Sequence, residues 1–308
     1  RDRDVTGVQT CALPILNCMN GCNIAIDAPL SLLKGAGLLN TAFLPANIYR
    51  VKIILSNKTD DSNLCSFSVT LGNGIHYMDN LHMVGPDNII LSKISVAEPN
   101  LSIGNNNVIV FANNISLSAD SENIISFDIC LFDRYTENCS ENSGKKIPHG
   151  SDIFFNGHLI YDSRVDSCSF KSKAKDYEVT VECEDDKISI GETTKFYINC
   201  KAGQYDMVRG VYVRSILDHG LDFVADSSNM EPRNVYSFDK RTVLKWDIGG
   251  LQPSEDKRIG YKVVLADDKE VQGIKQGTIL KNKINSNCIN NSTYTQCPIS
   301  CQYELTVK

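Results

Sequence analysis

Residues 243–265 read VLKWDIGGLQPSEDKRIGYKVVL. Val243, Leu244 and Trp246 make a first apolar stretch. In the second, Ile259, Tyr261, Val263 and Leu265 share one face, with Arg258, Lys262 and Val264 on the other. A period of two with polar residues on one side predicts a half-buried β-strand, and the Pro-Ser-Glu-Asp run between the stretches predicts a turn. Trp246 is the one tryptophan of the chain, and its area predicts a core anchor.

The pattern occurs twice. Residues 117–131, LSADSENIISFDICL, align without a gap on 251–265, so that Ile125, Phe127, Ile129 and Leu131 fall on Ile259, Tyr261, Val263 and Leu265. Upstream, Tyr49, Val51, Ile53 and Leu55 alternate with Arg50, Lys52, Ile54 and Ser56, which predicts a strand with Lys52 on its outer face. Phe196, Ile198 and Cys200 alternate in the same way with Lys195, Tyr197 and Asn199. GNGIHYM at 72–78 matches DHGLDFV at 218–224, each with a glycine where a tight turn needs positive φ. Residues 279–308 repeat 153–182, which sets Asn156 on Asn282 and Tyr177 on Tyr303.

Self-similarity of this kind, short strands and turn signals predict an all-β chain of tandem immunoglobulin-like β-sandwich modules. One module is expected over 17–176 and a second over 177–302. Residues 303–308 are expected to open a third, making the chain a piece of a longer array. The run 30–45 is undecided between a loop and a short helix. Residues 1–16 stand apart: VTGVQTCALPI resembles a translated sequencing-library adapter and is left out of fold reasoning.

The net charge of −6 gives none of the basic footprint that nucleic-acid partners require. No apolar run reaches membrane-spanning length. Twelve cysteines point to an oxidising, extracellular compartment.

GETTKFYI, DHGLDFV, 243–265 and GTILKNK resemble, in order and spacing, a repeat of bacterial surface proteins called domain of unknown function eleven. The match covers nearly all of 177–302 and is weaker over 17–176, where Phe111 and Asn113-Asn114 replace the tryptophan motif. The resemblance implies modules that build stalks on wall, fimbrial or spore-surface proteins. The cysteine content is high for that family, and alanine, threonine and glycine are scarce.

Candidate chemistry is sparse. Disulfides are the expected use of Cys183, Cys200, Cys288, Cys297 and Cys301, with Cys183 and Cys200 facing each other across neighbouring strands; reduced, buried thiols are the alternative. Cys18-x3-Cys22 and Cys297-x3-Cys301 invite a zinc reading, which is set aside because no histidine lies nearby in sequence. An isopeptide bond is weighed for Lys52 with Asn156 and Lys195 with Asn282. It needs a buried, neutral lysine, and strand alternation points both lysines outward. Asp60-Asp61 and Asp185-Asp186 lack the rest of a calcium ligand set. No nucleophile elbow, HExxH, Walker or dinucleotide fingerprint is present. No catalytic residue, cofactor or metal is therefore assigned. The expected function is a stalk or spacer at the cell surface, whose partners are neighbouring repeats and a host or envelope protein or glycan. The alternatives are a carbohydrate- or protein-binding module using loops such as 134–150, and an accessory region of an enzyme.

Overall fold

The computed structural model describes residues 21–35, 47–87, 91–100, 107–136, 144–266 and 273–308. The adapter-like segment, Cys18, most of the 30–45 run and the tip of the 134–150 loop lie outside the described residues.

Alternating apolar positions build two sandwiches. In the first, β1 (Cys22–Asp27), β3 (Tyr49–Asn57), β9 (Ser121–Leu131) and β5 (Ile75–Tyr77) form one sheet in that order, with β6 (His82–Val84) also on β9. The facing sheet runs β2 (Ser31–Leu33), β11 (Arg164–Lys175), β10 (Asp152–Tyr161), β4 (Asn63–Thr70), β8 (Ile109–Leu117), β7 (Ile94–Ala97). The second sandwich repeats this order. One sheet is β12 (Tyr177–Cys183), β14 (Thr193–Ala202), β19 (Asp256–Leu265), β16 (Leu221–Phe223). The other is β13 (Lys187–Ile188), β21 (Ile299–Val307), β20 (Ile279–Asn290), β15 (Val208–Leu217), β18 (Arg241–Leu251), β17 (Asn234–Phe238). In each copy the opening strand starts in one sheet, and the next short strand pairs parallel with the last strand of the other. Both halves are immunoglobulin-like sandwiches, and their two cores share no residue.

Equivalent residues occupy equivalent places. Val51 lies across from Phe127 as Phe196 lies across from Tyr261. Gly74 and Gly220 turn the chain with φ of 93° and 94°, a region where a side chain is strained. Packing differs in a compensating way. In the first sandwich the large Phe67 pairs with the small Ala112; in the second the small Val213 pairs with the large Trp246. The tryptophan's counterpart is thus Ala112 and not Phe111, which the expected motif replacement had taken.

The two strands and the turn predicted over 243–265 are present, but β18 and β19 belong to different sheets, and the Gln252–Glu255 turn arches between them. Both strands carry an apolar inner face, so alternation alone does not say which sheet each joins. Two sequence expectations need correction. Residues 303–308 do not open a third module. They finish β21, antiparallel to β20 and parallel to β13, as β11 closes the first sandwich. The YEVTV and YELTV matches therefore fall on non-equivalent strands. Asn156 is not the counterpart of Asn282. Asn156 pairs with Thr70, whereas Asn282 pairs with Leu217, the equivalent of Leu71, so the true counterpart of Asn282 is Phe155. A slip of one residue moves a side chain to the opposite face: Asn156 is exposed, while Asn282 and Phe155 are fully buried.

Candidate functional site at the joint between the sandwiches

β11 ends at Lys175 and β12 begins at Tyr177, so Asp176 alone connects the sandwiches. With no linker, neighbouring loops close over it. Lys34, just past β2, reaches Asp176 Oδ1 at 2.7 Å and also donates to the Ile147 carbonyl. Both side chains of this ion pair are 4% exposed. Backbone bonds continue across the joint. Gln204 N donates to Lys34 O at 3.1 Å, and Gly203 N donates to Asp176 O at 2.8 Å. A Cβ on Gly203 would stand 3.1 Å from Lys34 O and 3.2 Å from Asp176 O, so the absence of a side chain permits this approach.

Two further polar links flank the first. Lys146 of the first sandwich holds both carboxylate oxygens of Asp206 in the second, at 2.8 and 2.9 Å. Ser292 and Asn290 donate to the same carboxylate. Burial pushes the Asp206 pKa upward, but these hydrogen bonds and the Lys146 charge outweigh it and hold the group below its usual value. Lys201 Nζ donates to Asn47 Oδ1 at 2.8 Å. Buried ion pairs recover their desolvation cost only in a fixed geometry, so such links specify one arrangement more than they stabilise it.

Against the Lys34–Asp176 pair stand His149, Cys297 and Cys288. The Asp176 backbone N–H donates to His149 Nδ1 at 3.0 Å. Asp176 Oδ2, 4.0 Å from that nitrogen, is buried without a hydrogen-bond partner. His149, Asp176 and Cys297 have their ligating atoms within 4.8 Å of one another. The hairpin after β20 brings Cys297 beside Cys288, and Cys297 N donates to Cys288 O at 2.8 Å. A hydrogen bond from the Cys288 thiol lowers the Cys297 pKa against the effect of burial. His149 adds to the lowering, and Cys288 is correspondingly raised. Cys297 and Cys288 are 0% and 1% exposed. Thiols so enclosed offer no face to a substrate, and the chemistry open to this group is to hold an ion or to form a crosslink.

The other anticipated positions are dispersed. Cys183 and Cys200 do not face each other: Cys183 pairs with Phe196 and Cys200 with Val179. Cys183 contacts the Thr194 hydroxyl at 3.3 Å. Burial pushes Cys200 up to about 11, partly offset by a hydrogen bond with Tyr177, and pushes Cys301 up to about 12. Neither lysine meets its asparagine. Lys52 is exposed beside Asp27, and Asn156 lies on the outer face of the other sheet, accepting from Ser169. Lys195 lies over the Tyr197 ring outside the sandwich, while Asn282 is bonded within the core. Asp185 and Asp186 accept from Thr194 and Tyr303.

Sequence reasoning missed two groupings. His149 and Asp176 reach Cys297 from far along the chain, so no spacing announces them. The Cys22 and Cys65 thiols, on β1 and β4, stand 3.7 Å apart across the first core. Burial raises Cys22 and pushes Cys65 up to about 12.

No known sequence family matches the chain, and no curated protein matches it by sequence. Solved structures resemble it at low identity. Red sea bream transglutaminase is 8% identical over 94% of this chain, with a TM-score of 0.38, and the match covers 32% of that protein. Escherichia coli α2-macroglobulin in its native conformation is 11% identical over 94% of this chain, with a TM-score of 0.33, and 17% of it is covered. The chain thus spans a third or less of the length of these two proteins. A cohesin module from a Clostridium perfringens family 33 glycoside hydrolase is 11% identical over 43% of this chain and 96% of its own length, with a TM-score of 0.27. The chain is a tandem of immunoglobulin-like β-sandwiches.

Proposed function

We propose that the chain is a load-bearing spacer of an extracellular bacterial surface protein, without catalytic activity of its own. The observation that carries this is the joint. Two sandwiches of one topology meet through a single residue, and a buried ion pair, a half-buried one and backbone bonds link them. A segment that holds another domain away from an envelope needs this stiffness between units, and long antiparallel ladders that must shear together within them. The resemblance of 177–302 to surface-repeat modules and the abundance of cysteine support the same reading.

Small-angle scattering of the whole chain tests it. One rigid arrangement of the sandwiches should fit the profile, and Lys34→Met with Lys146→Met should broaden it. A wild-type profile that requires many inter-sandwich orientations would refute the spacer.

A second reading, a protein-binding module, is favoured by β17. This edge strand is exposed throughout and carries Val235, Tyr236 and Phe238, the last 70% exposed. An open apolar edge invites an added strand. Capture of a partner that is lost on Phe238→Lys would favour this reading.

A further inference from the structure

We propose that His149, Asp176, Cys288 and Cys297 bind one zinc ion that ties the two sandwiches together. His149 comes from the first sandwich, Cys288 and Cys297 come from the second, and Asp176 is the residue between them. Thiolate, imidazole and carboxylate are each donors that zinc takes in four-coordinate sites.

The geometry is close to what the ion requires. Zinc bonds of roughly 2.0–2.3 Å in a tetrahedron set the ligand atoms roughly 3.3–3.8 Å apart. The atoms of His149, Asp176 and Cys297 already lie within 4.8 Å of one another, so small side-chain rotations complete the contraction. Cys288 adjoins Cys297 across their hairpin, where the Cys297 backbone N–H donates to the Cys288 carbonyl at 2.8 Å. His149 Nδ1, 4.0 Å from Asp176 Oδ2, carries the ring's lone pair and accepts from the Asp176 backbone N–H; this nitrogen would exchange that contact for the metal, with the ring proton staying on Nε2.

An independent observation points to a missing ligand. Asp176 Oδ2 is buried in this cluster with no hydrogen-bond partner, whereas its other oxygen is held by Lys34. Such an oxygen carries a desolvation penalty until something electropositive meets it. Charge closes as well: the dication, two thiolates, one carboxylate and the Lys34 ammonium cancel, so the filled site is neutral where it is buried. Both thiols give up their protons on binding, so acid should expel the metal.

The same thiols have a competing fate, since oxidation would join Cys288 to Cys297 with loss of two hydrogens to an external oxidant. Zinc loading and this disulfide exclude each other, so the whole chain, purified with zinc and without chelator, should be measured by elemental analysis and intact mass. The expected result is about one zinc per chain, with both cysteines reduced and a tetrahedral thiolate spectrum on cobalt replacement. Cys297→Ser and His149→Gln should each weaken cobalt binding by at least about tenfold, while Cys301→Ser leaves it unchanged; circular dichroism of each variant checks folding. No stoichiometric metal in the reduced chain, a Cys288–Cys297 disulfide in the purified chain, or binding insensitive to Cys297→Ser would overturn the proposal. None of these results bears on the scattering profile that tests the spacer.

Discussion

Three polar side chains sit at the centre of the second core. Tyr261 donates to Ser215 Oγ (2.9 Å), Ser215 donates to Asn282 Oδ1 (2.7 Å), and Asn282 Nδ2 donates to the Tyr261 oxygen (2.7 Å). The ring closes on itself, each member giving and accepting once. The equivalent positions in the first core are Phe127, Val69 and Phe155, all fully buried. Tyr261→Phe removes one hydroxyl and leaves an Asn282 N–H without its acceptor and Ser215 Oγ without its donor. A buried group orphaned in this way costs about 1–3 kcal/mol. Replacing all three, as Tyr261→Phe, Ser215→Ala and Asn282→Leu, removes every orphan at roughly conserved volume and should cost under about 1.5 kcal/mol. Leucine is preferred to the phenylalanine of the first core because Phe155 lies near Gly157, where the second core carries Ile284. Urea unfolding followed by tryptophan fluorescence isolates the effect, since Trp246 is the sole tryptophan and packs 5.2 Å from the Tyr261 ring. A triple variant destabilised by the sum of the single losses, or a Tyr261→Phe variant as stable as wild type, would refute the closed-ring argument.

Four other outcomes follow from the geometry. Under oxidising conditions Cys22 and Cys65 should bond, tying β1 to β4 across the sheets. The 43-residue separation makes this worth about 4 kcal/mol in the loop-entropy picture. Melting of the first sandwich with and without reductant, compared with Cys22→Ser, checks it, and a reductant-independent melt refutes it. Trp246→Ala should cost about 3–5 kcal/mol, and adding Val213→Phe, which recreates the Phe67–Ala112 pair, should restore part of that in urea titrations. Lys34→Met should cost about 3–5 kcal/mol by leaving the Asp176 charge buried and unpaired, and the loss should shrink in Lys34→Met with Asp176→Leu. Asp206 holds its folded pKa below the unfolded value of about 3.9. Its stabilisation is therefore complete above that pH and is lost as pH falls through the folded pKa. The acid branch of a stability–pH curve should flatten in Lys146→Met, and an unchanged slope would refute the assignment.

What the sequence discloses follows from the range over which each signal acts. Alternation is local, so Ile259, Tyr261, Val263 and Leu265 announce a strand with one buried face, and all four are fully buried. Turn glycines are local too, and Gly74 and Gly220 fall where the repeat requires them. Which sheet a strand joins is a long-range choice between faces of equal apolarity, so the alternation over 243–265 announces two strands and a turn without saying that β18 and β19 join different sheets. Register is more fragile still. Asn156 and Asn282 aligned by identity, yet one position separates their true equivalents, and that step carries a residue from water into the core. The joint lies at the far end of this scale. Lys34, His149 and Cys297 meet at Asp176 only after both sandwiches have closed, and no pair among them shares a spacing that alternation could reveal. Strand periodicity thus discloses the units, while the chemistry that fixes one unit on the next resides in residues whose partners only the folded chain supplies.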